Sequence, residues 1–223
     1  MLTKNEEKLN EVRERTAEIL EDLAISQKIA LQALEECDRK SFTQVKVPLK
    51  KIGARIEEID QLILTIFARY SPEAGDLREM VAFLKITSSL QRIATNEKNY
   101  MKNMEICNPE APEEVRKIIE ISLGINRCTI SALGYTIEMV KEIEDMDHLL
   151  ELAAKINVEY SKTDDIYSMI EKDVLQLMHK EHIISDSHTD LLKYIRKNLK
   201  IVDRLEDISS RLIFARIGEH VTS

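Results

Sequence analysis

Asp203 and Asp207, in Val202-Asp203-Arg204-Leu205-Glu206-Asp207, stand four residues apart within an apolar-striped run. On a helix that spacing puts both carboxylates on one face, a turn apart. Two such charges repel unless a cation or a guanidinium offsets them, and several pairs from neighbouring helices would make a hard-cation site. The competing reading is a solvated face, because Asp207 and Arg211 have the spacing of an ordinary helical salt bridge. The densest run of titratable side chains is His179, Glu181, His182, Asp186 and His188. His179 and His182 share a helix face as a metal pair would, but a polar turn between helices accounts for the same residues.

Other chemistries lack their residues. No Gly-rich phosphate loop and no Gly-x-Ser-x-Gly elbow are present, and no Cys has a His near it in sequence. A ferritin-like carboxylate centre needs Glu-x-x-His pairs on facing helices. Asp145-Met146-Asp147-His148 and Glu181-His182 supply only fragments of one. The net charge of −8, with 40 carboxylates against 32 Lys and Arg, argues against nucleic acid as a partner. Met1 to Leu20 is charged throughout, with no signal-peptide core, and the apolar run Leu62–Phe67 is far too short to insert in a membrane. Cys37, Cys107 and Cys128 lie far apart and read as separate packing thiols in a reducing cytoplasm.

The elements that must position these residues are helices. Five Gly, four Pro and no Trp leave little of the punctuation that sheets and hairpins require. Apolar residues recur at helical spacing nearly everywhere. The pattern predicts an all-α fold of six long antiparallel helices: about 4–38, Ser41 to Tyr70, Pro72 to about 106, Pro112 to about 143, about 147–180, and from after Ser187 to about 218. The second is striped by Val45, Leu49, Ile52, Ile56, Ile59 and Ile63. The third has a defined start, with Ser71 as cap, Pro72 where a missing N–H costs nothing, and Glu73 and Asp76 at the positive end of the dipole. Asn108-Pro109-Glu110-Ala111-Pro112 divides the chain into residues 1–108 and 109–223, each a three-helix bundle, the two laid end to end or side by side.

Ile59-Asp60, then Pro72-Glu73-Ala74-Gly75-Asp76-Leu77-Arg78, then Leu84-Lys85-Ile86 and Leu90-Gln91-Arg92-Ile93 resemble the signature of the PhoU family of phosphate-signalling regulators in order and spacing. Asp164-Asp165-Ile166-Tyr167 and Val202 to Asp207 resemble the second repeat of that family more loosely. The resemblance implies two tandem three-helix repeats, and metal clusters held through Glu/Asp-x-x-x-Asp motifs. Here the first repeat has Gln91, Thr95 and Ile56 at carboxylate positions, and Tyr160 stands before Asp164. What is left for a divalent or iron ion is Asp164, Asp203 and Asp207, in the second repeat. Arg78 and Arg92 lie too far apart to hold one phosphate, and Arg78 is expected to anchor its helix through a neighbouring carboxylate.

The implied function is regulatory rather than enzymatic: damping phosphate uptake and the phosphate-starvation response by docking to the ATPase of a phosphate ABC transporter and to a sensor histidine kinase. Two other readings stand beside it, a helical-bundle metal-binding protein and a helical adaptor with no phosphate role. Wide apolar stripes also allow a homodimer.

Overall fold

The computed structural model describes residues 4–37, 39–70, 74–104, 107, 112–181 and 186–217. Seven helices make up nearly all of this: α1 (Lys4–Glu36), α2 (Arg39–Gln44), α3 (Ile52–Arg69), α4 (Ala74–Met104), α5 (Glu113–Lys141), α6 (Met146–Glu181) and α7 (Asp186–Ile217). No strand occurs among the described residues. At 36 residues, α6 is about 54 Å long. Pro112 is the N-cap of α5, with Glu113 and Glu114 in the first turn, as its sequence predicts. Ser71, Pro72 and Glu73, which mark the start of α4 in the sequence, lie outside the described residues, as do residues 108–111 of the inter-repeat break.

The six long helices are present, and the second is preceded by a short seventh helix, α2, where one unbroken run from Ser41 to Tyr70 was expected. Between Gln44 and Ile52 the chain runs through turns, with Val47 N–H donating to the Gln44 carbonyl at 2.9 Å and Lys50 N–H to the Val47 carbonyl at 3.1 Å. Pro48 is the reason: it has no N–H to give and crowds the helical conformation of the residue before it. Lys51, at φ 63°, then redirects the backbone into α3. The apolar stripe continues across the interruption, with Val45, Leu49 and Ile52 all fully buried. Spacing alone therefore could not distinguish these turns from a helix.

α1, α3 and α4 form one three-helix bundle and α5, α6 and α7 the other, and the two lie side by side. α4 packs along α7 and α1 along α5, so four helices form the middle, with α3 outside α1 and α4, and α6 outside α5 and α7. α1 and α4 are parallel: Asn5 donates to Asp76, and the Arg13 guanidinium grips Glu79 at 2.6 and 2.7 Å. α1 and α5 are antiparallel, tied by Glu21–Lys141 at 2.6 Å and Glu35–Arg127 at 2.7 Å. The Nε of Arg78 is buried without a hydrogen-bond partner, and the adjacent Glu79 is held by Arg13.

The parallel course of α1 and α4 brings their C-terminal ends together, and there Cys37 and Cys107 are joined as a disulfide, with Cα atoms 5.5 Å apart. The expectation of three separate thiols is corrected for this pair. A separation of 70 residues conceals their proximity until the two helices are aligned.

The core is two apolar clusters, each drawing on both halves of the chain. The first includes Leu23, Ile93, Ala132 and Ile201; the second includes Ala30, Tyr100, Ile125 and Ile195. Burying each such Leu or Ile side chain is worth about 1.5–3 kcal/mol relative to exposure. Between the clusters each central helix contributes a buried polar side chain: Ser26 and Gln27 from α1, Glu97 from α4, Asn126 from α5 and Asn198 from α7. Tyr100 Oη donates to Asn126 Oδ1 at 2.9 Å, Asn126 Nδ2 to Gln27 Oε1 at 3.2 Å, and Gln27 Nε2 to Asn198 Oδ1 at 3.2 Å. One directed chain thus crosses all four helices. It ends at Asn198 Nδ2, which has no acceptor, while both oxygens of Glu97 lack a donor. Ser26, which faces Glu97, gives its hydroxyl proton to the Val45 carbonyl at 3.0 Å.

Burial pushes the Glu97 carboxyl up to about 8, with Ser26 pulling weakly the other way. Its folded value lies above the unfolded value of 4.5, so between these pH values the native chain keeps a proton that the unfolded chain has released. That contribution to stability is present below pH 4.5 and lost as pH rises towards 8. Denaturant unfolding from pH 5 to 9 is expected to show Glu97→Gln gaining a few kcal/mol relative to the wild type over that window. A constant difference between the two would contradict the assignment.

Candidate functional site

The residues predicted to hold an ion lie on α6 and α7, which pack together in the second repeat. Asp164 is exposed on α6, one turn beyond Tyr160, and Asp203 is half-buried on α7. Burial, then the charges of Asp203, Asp164 and Glu206, raise the Tyr160 phenol above its ordinary value. Asp164 and Asp203 are thus brought together around this ring. Burial, followed by repulsion from Asp207 and Asp203, raises Glu206, whose carboxylate also accepts from Ser210 at 3.4 Å. The guanidinium nearest Asp203 is that of its neighbour Arg204, at 3.9 Å.

Asp207 faces elsewhere. It accepts a hydrogen bond from Ser89 of α4 at 2.8 Å and from Arg211 at 3.1 Å. The Arg211 contact is the salt bridge its spacing suggested. The Ser89 contact was not legible, because it joins one repeat to the other across 118 residues. Asp207 is therefore committed to holding α7 against α4. In the first repeat, Thr95 Oγ1 donates to the Gln91 carbonyl at 2.8 Å, Ile56 is buried, and Asp60 accepts from Thr87 at 2.7 Å. The side chains of His179, Glu181, Asp186 and His188, and the whole of His182, lie outside the described residues.

A further group lies at the turn between α5 and α6. Glu138, Glu142 and His148 bring one ligand atom each within 4.8 Å of one another. His148 Nε2 is 2.8 Å from Glu138 Oε1 and 3.6 Å from Glu142 Oε2. Asp145 sets the ring's place by capping α6, its carboxylate accepting from His148 N–H at 3.0 Å. The sequence signal was Glu-x-x-x-Glu at a helix end with a His in the next first turn. As seen, the group is a His–carboxylate bridge between consecutive helices.

Two features bear on catalysis by polar groups. At the same end of the bundle as this turn a cavity of about 590 Å³ is lined by Arg13, Glu79, Glu144 and Arg216, among others. These four are paired with one another: Arg13 with Glu79 and Glu144, and Arg216 with Glu144. Burial, with help from Glu159, pushes the Cys128 thiol up to about 12, which leaves almost no thiolate at neutral pH.

With this geometry in view, comparison with known proteins is informative. The PhoU domain model matches residues 20–104, a span that contains Asp60 and the Pro72–Ile93 signature. The chain is 27% identical over 160 residues to the phosphate-specific transport system accessory protein PhoU homolog 1 of Mycobacterium leprae, covering 67% of this chain and 72% of that one. It is 24% identical over 220 residues to PhoU homolog 2 of Mycobacterium tuberculosis, covering 98% and 99%. Among solved structures, PhoU from Pseudomonas aeruginosa superposes with a TM-score of 0.82 at 18% identity, covering 96% of this chain and 99% of that one. The phosphate transport system regulatory protein PhoU from Streptococcus pneumoniae gives 0.73 at 18% identity, covering 99% and 100%. The architecture is that of a duplicated PhoU-type helical bundle. The resemblance to the PhoU family therefore holds over residues 20–104, and the chain has the fold of the solved PhoU structures.

If Asp207 holds the repeats together, Asp207→Ala strands a buried hydroxyl and part of a guanidinium. It should cost about 1–3 kcal/mol in urea unfolding, and the double-mutant cycle with Ser89→Ala should show coupling. Independent, additive effects would rule that role out.

Proposed function

We propose that the protein regulates phosphate uptake and phosphate-starvation signalling by docking to the ATPase of a phosphate ABC transporter and to a sensor histidine kinase. The observation that carries this reading is the PhoU match across Asp60 and the Pro72–Ile93 signature. Relatives named as phosphate-transport accessory proteins, similar along nearly the whole chain, support it. The bundle's outer surface suits docking. Along α6, Leu150, Val158, Met169 and Leu175 are each about half exposed, and exposed apolar side chains on one long helix suit a contact with another protein. No described helix is long and apolar enough to cross a membrane.

A second reading is an ion on the outer face of the second repeat. It is favoured by the convergence of Asp164, Asp203 and Glu206 on Tyr160, where three like charges meet with little offset. With Asp207 engaged by Ser89 and Arg211, two aspartates are left as ligands, which suits a weak divalent or iron site. Titration with Mn²⁺ or Fe²⁺ should show binding that Asp164→Asn with Asp203→Asn removes and His148→Ala leaves in place; the opposite pattern assigns the ion to the α5–α6 turn instead.

The regulatory reading is tested by a two-hybrid or co-purification assay against the ATPase and the kinase, paired with a deletion strain. Contact with both partners is expected, together with starvation-gene expression in phosphate-rich medium on deletion. Val158→Asp with Met169→Asp should weaken the ATPase contact at least tenfold with helicity unchanged. No contact with either partner and normal phosphate-responsive expression would overturn the reading.

A further inference from the structure

Cys37 directly follows α1, and Cys107 lies three residues past the end of α4, so their bond ties the C-terminal ends of the first and last helices of the first repeat together just before the second begins. Cys37 has φ 47°, the left-handed conformation that usually falls to Gly or Asn after a helix and that a Cβ disfavours. A side chain is kept there against that preference. The Leu34 carbonyl is 3.6 Å from Cys37 Sγ and 3.7 Å from Cys107 Sγ. Were the bond open, each thiol would find an acceptor in this one carbonyl, so the same backbone satisfies both the bonded and the open pair. The pair also lines a cavity of about 390 Å³ with Glu35, Arg116, Glu120 and Arg127. Arg127 is held by Glu35 at 2.7 Å, and Arg116 is exposed at the same mouth. Cationic groups beside a sulfur favour its thiolate, the form that enters and leaves disulfide bonds. Cys128, by contrast, is buried elsewhere with its thiol held protonated.

We propose that Cys37–Cys107 is a reversible thiol–disulfide exchange site, served by a small thiol of the glutathione class entering through this cavity. Its two carboxylates and ammonium group suit a mouth with two guanidiniums and two carboxylates. The attacking thiolate bonds to Cys37 Sγ, the more exposed sulfur, and the S–S electron pair leaves on Cys107 Sγ. Cys107 takes up the proton that the small thiol released and donates it towards Leu34. A second thiolate attacks the outer sulfur of the mixed disulfide and frees Cys37, which is protonated in turn. One protein disulfide and two small thiols become two protein thiols and one small disulfide, and the reverse direction uses the small disulfide as oxidant. Opening the bond releases the loop, closed across a separation of 70 residues, that holds α2, α3 and α4. This inference is independent of the phosphate role.

The folded wild-type chain is equilibrated in glutathione buffers running from fully reduced to fully oxidised, quenched with a maleimide and weighed intact. Two thiols are expected to appear together at an intermediate ratio without denaturant, with Cys128 labelled only after unfolding. Cys128→Ser should leave the midpoint in place. Cys37→Ser and Cys107→Ser should abolish the paired transition, and the oxidised chain should melt several degrees above the reduced one. A pair that opens only on unfolding is a permanent cross-link, and one that stays open in oxidised glutathione forms no bond. Either result overturns the proposal, and the wild-type titration decides even if a serine variant misfolds.

Discussion

The buried polar layer at the waist of the core is the constraint on which the rest depends. Amides and hydroxyls out of water must find partners, and one left unmade costs more than one made returns. Gln27, Asn126, Asn198 and Tyr100 meet that demand only when α1, α4, α5 and α7 stand at one mutual height. Apolar side chains above and below would tolerate a slide of one turn; the polar chain does not. In this sense a layer that adds little net stability fixes the register of two repeats that could otherwise pack in several ways.

That register has consequences at both ends. Ser89 reaches Asp207, and on the other side of the polar layer Ala30, Met101 and Ile195 pack into the second cluster. The outer helices α3 and α6 are then held at fixed separation on opposite sides of the four central ones. A body that presents two long faces at a set distance is what a docking regulator requires, whichever partners occupy them. Glu97 is the carboxylic acid of the layer, and its two oxygens are unpaired.

Much of this was legible in the sequence, and what was missed has physical causes. Periodicity located the long helices because each buries one stripe, and Pro112 marked the start of α5. The interruption at residues 45–51 was hidden because Val45 and Leu49 are buried as helical residues would be, although Pro48 stood in plain view. Gln27, Asn126 and Asn198 carried no signal of their own in the sequence; their pairing exists only once four helices are assembled. The Cys37–Cys107 link and the Ser89–Asp207 contact span 70 and 118 residues and follow from helix direction, which spacing does not encode. The aspartates were correctly placed on neighbouring helices, but which of them a serine already occupied could not be read from spacing.

Native-state hydrogen exchange tests most directly whether the polar layer binds the repeats into one unit. Slowly exchanging amides in the middles of α1 and α4 should open with the same free energy, and the same denaturant dependence, as those in α5 and α7. Two distinct opening energies, one for each repeat, would contradict the account.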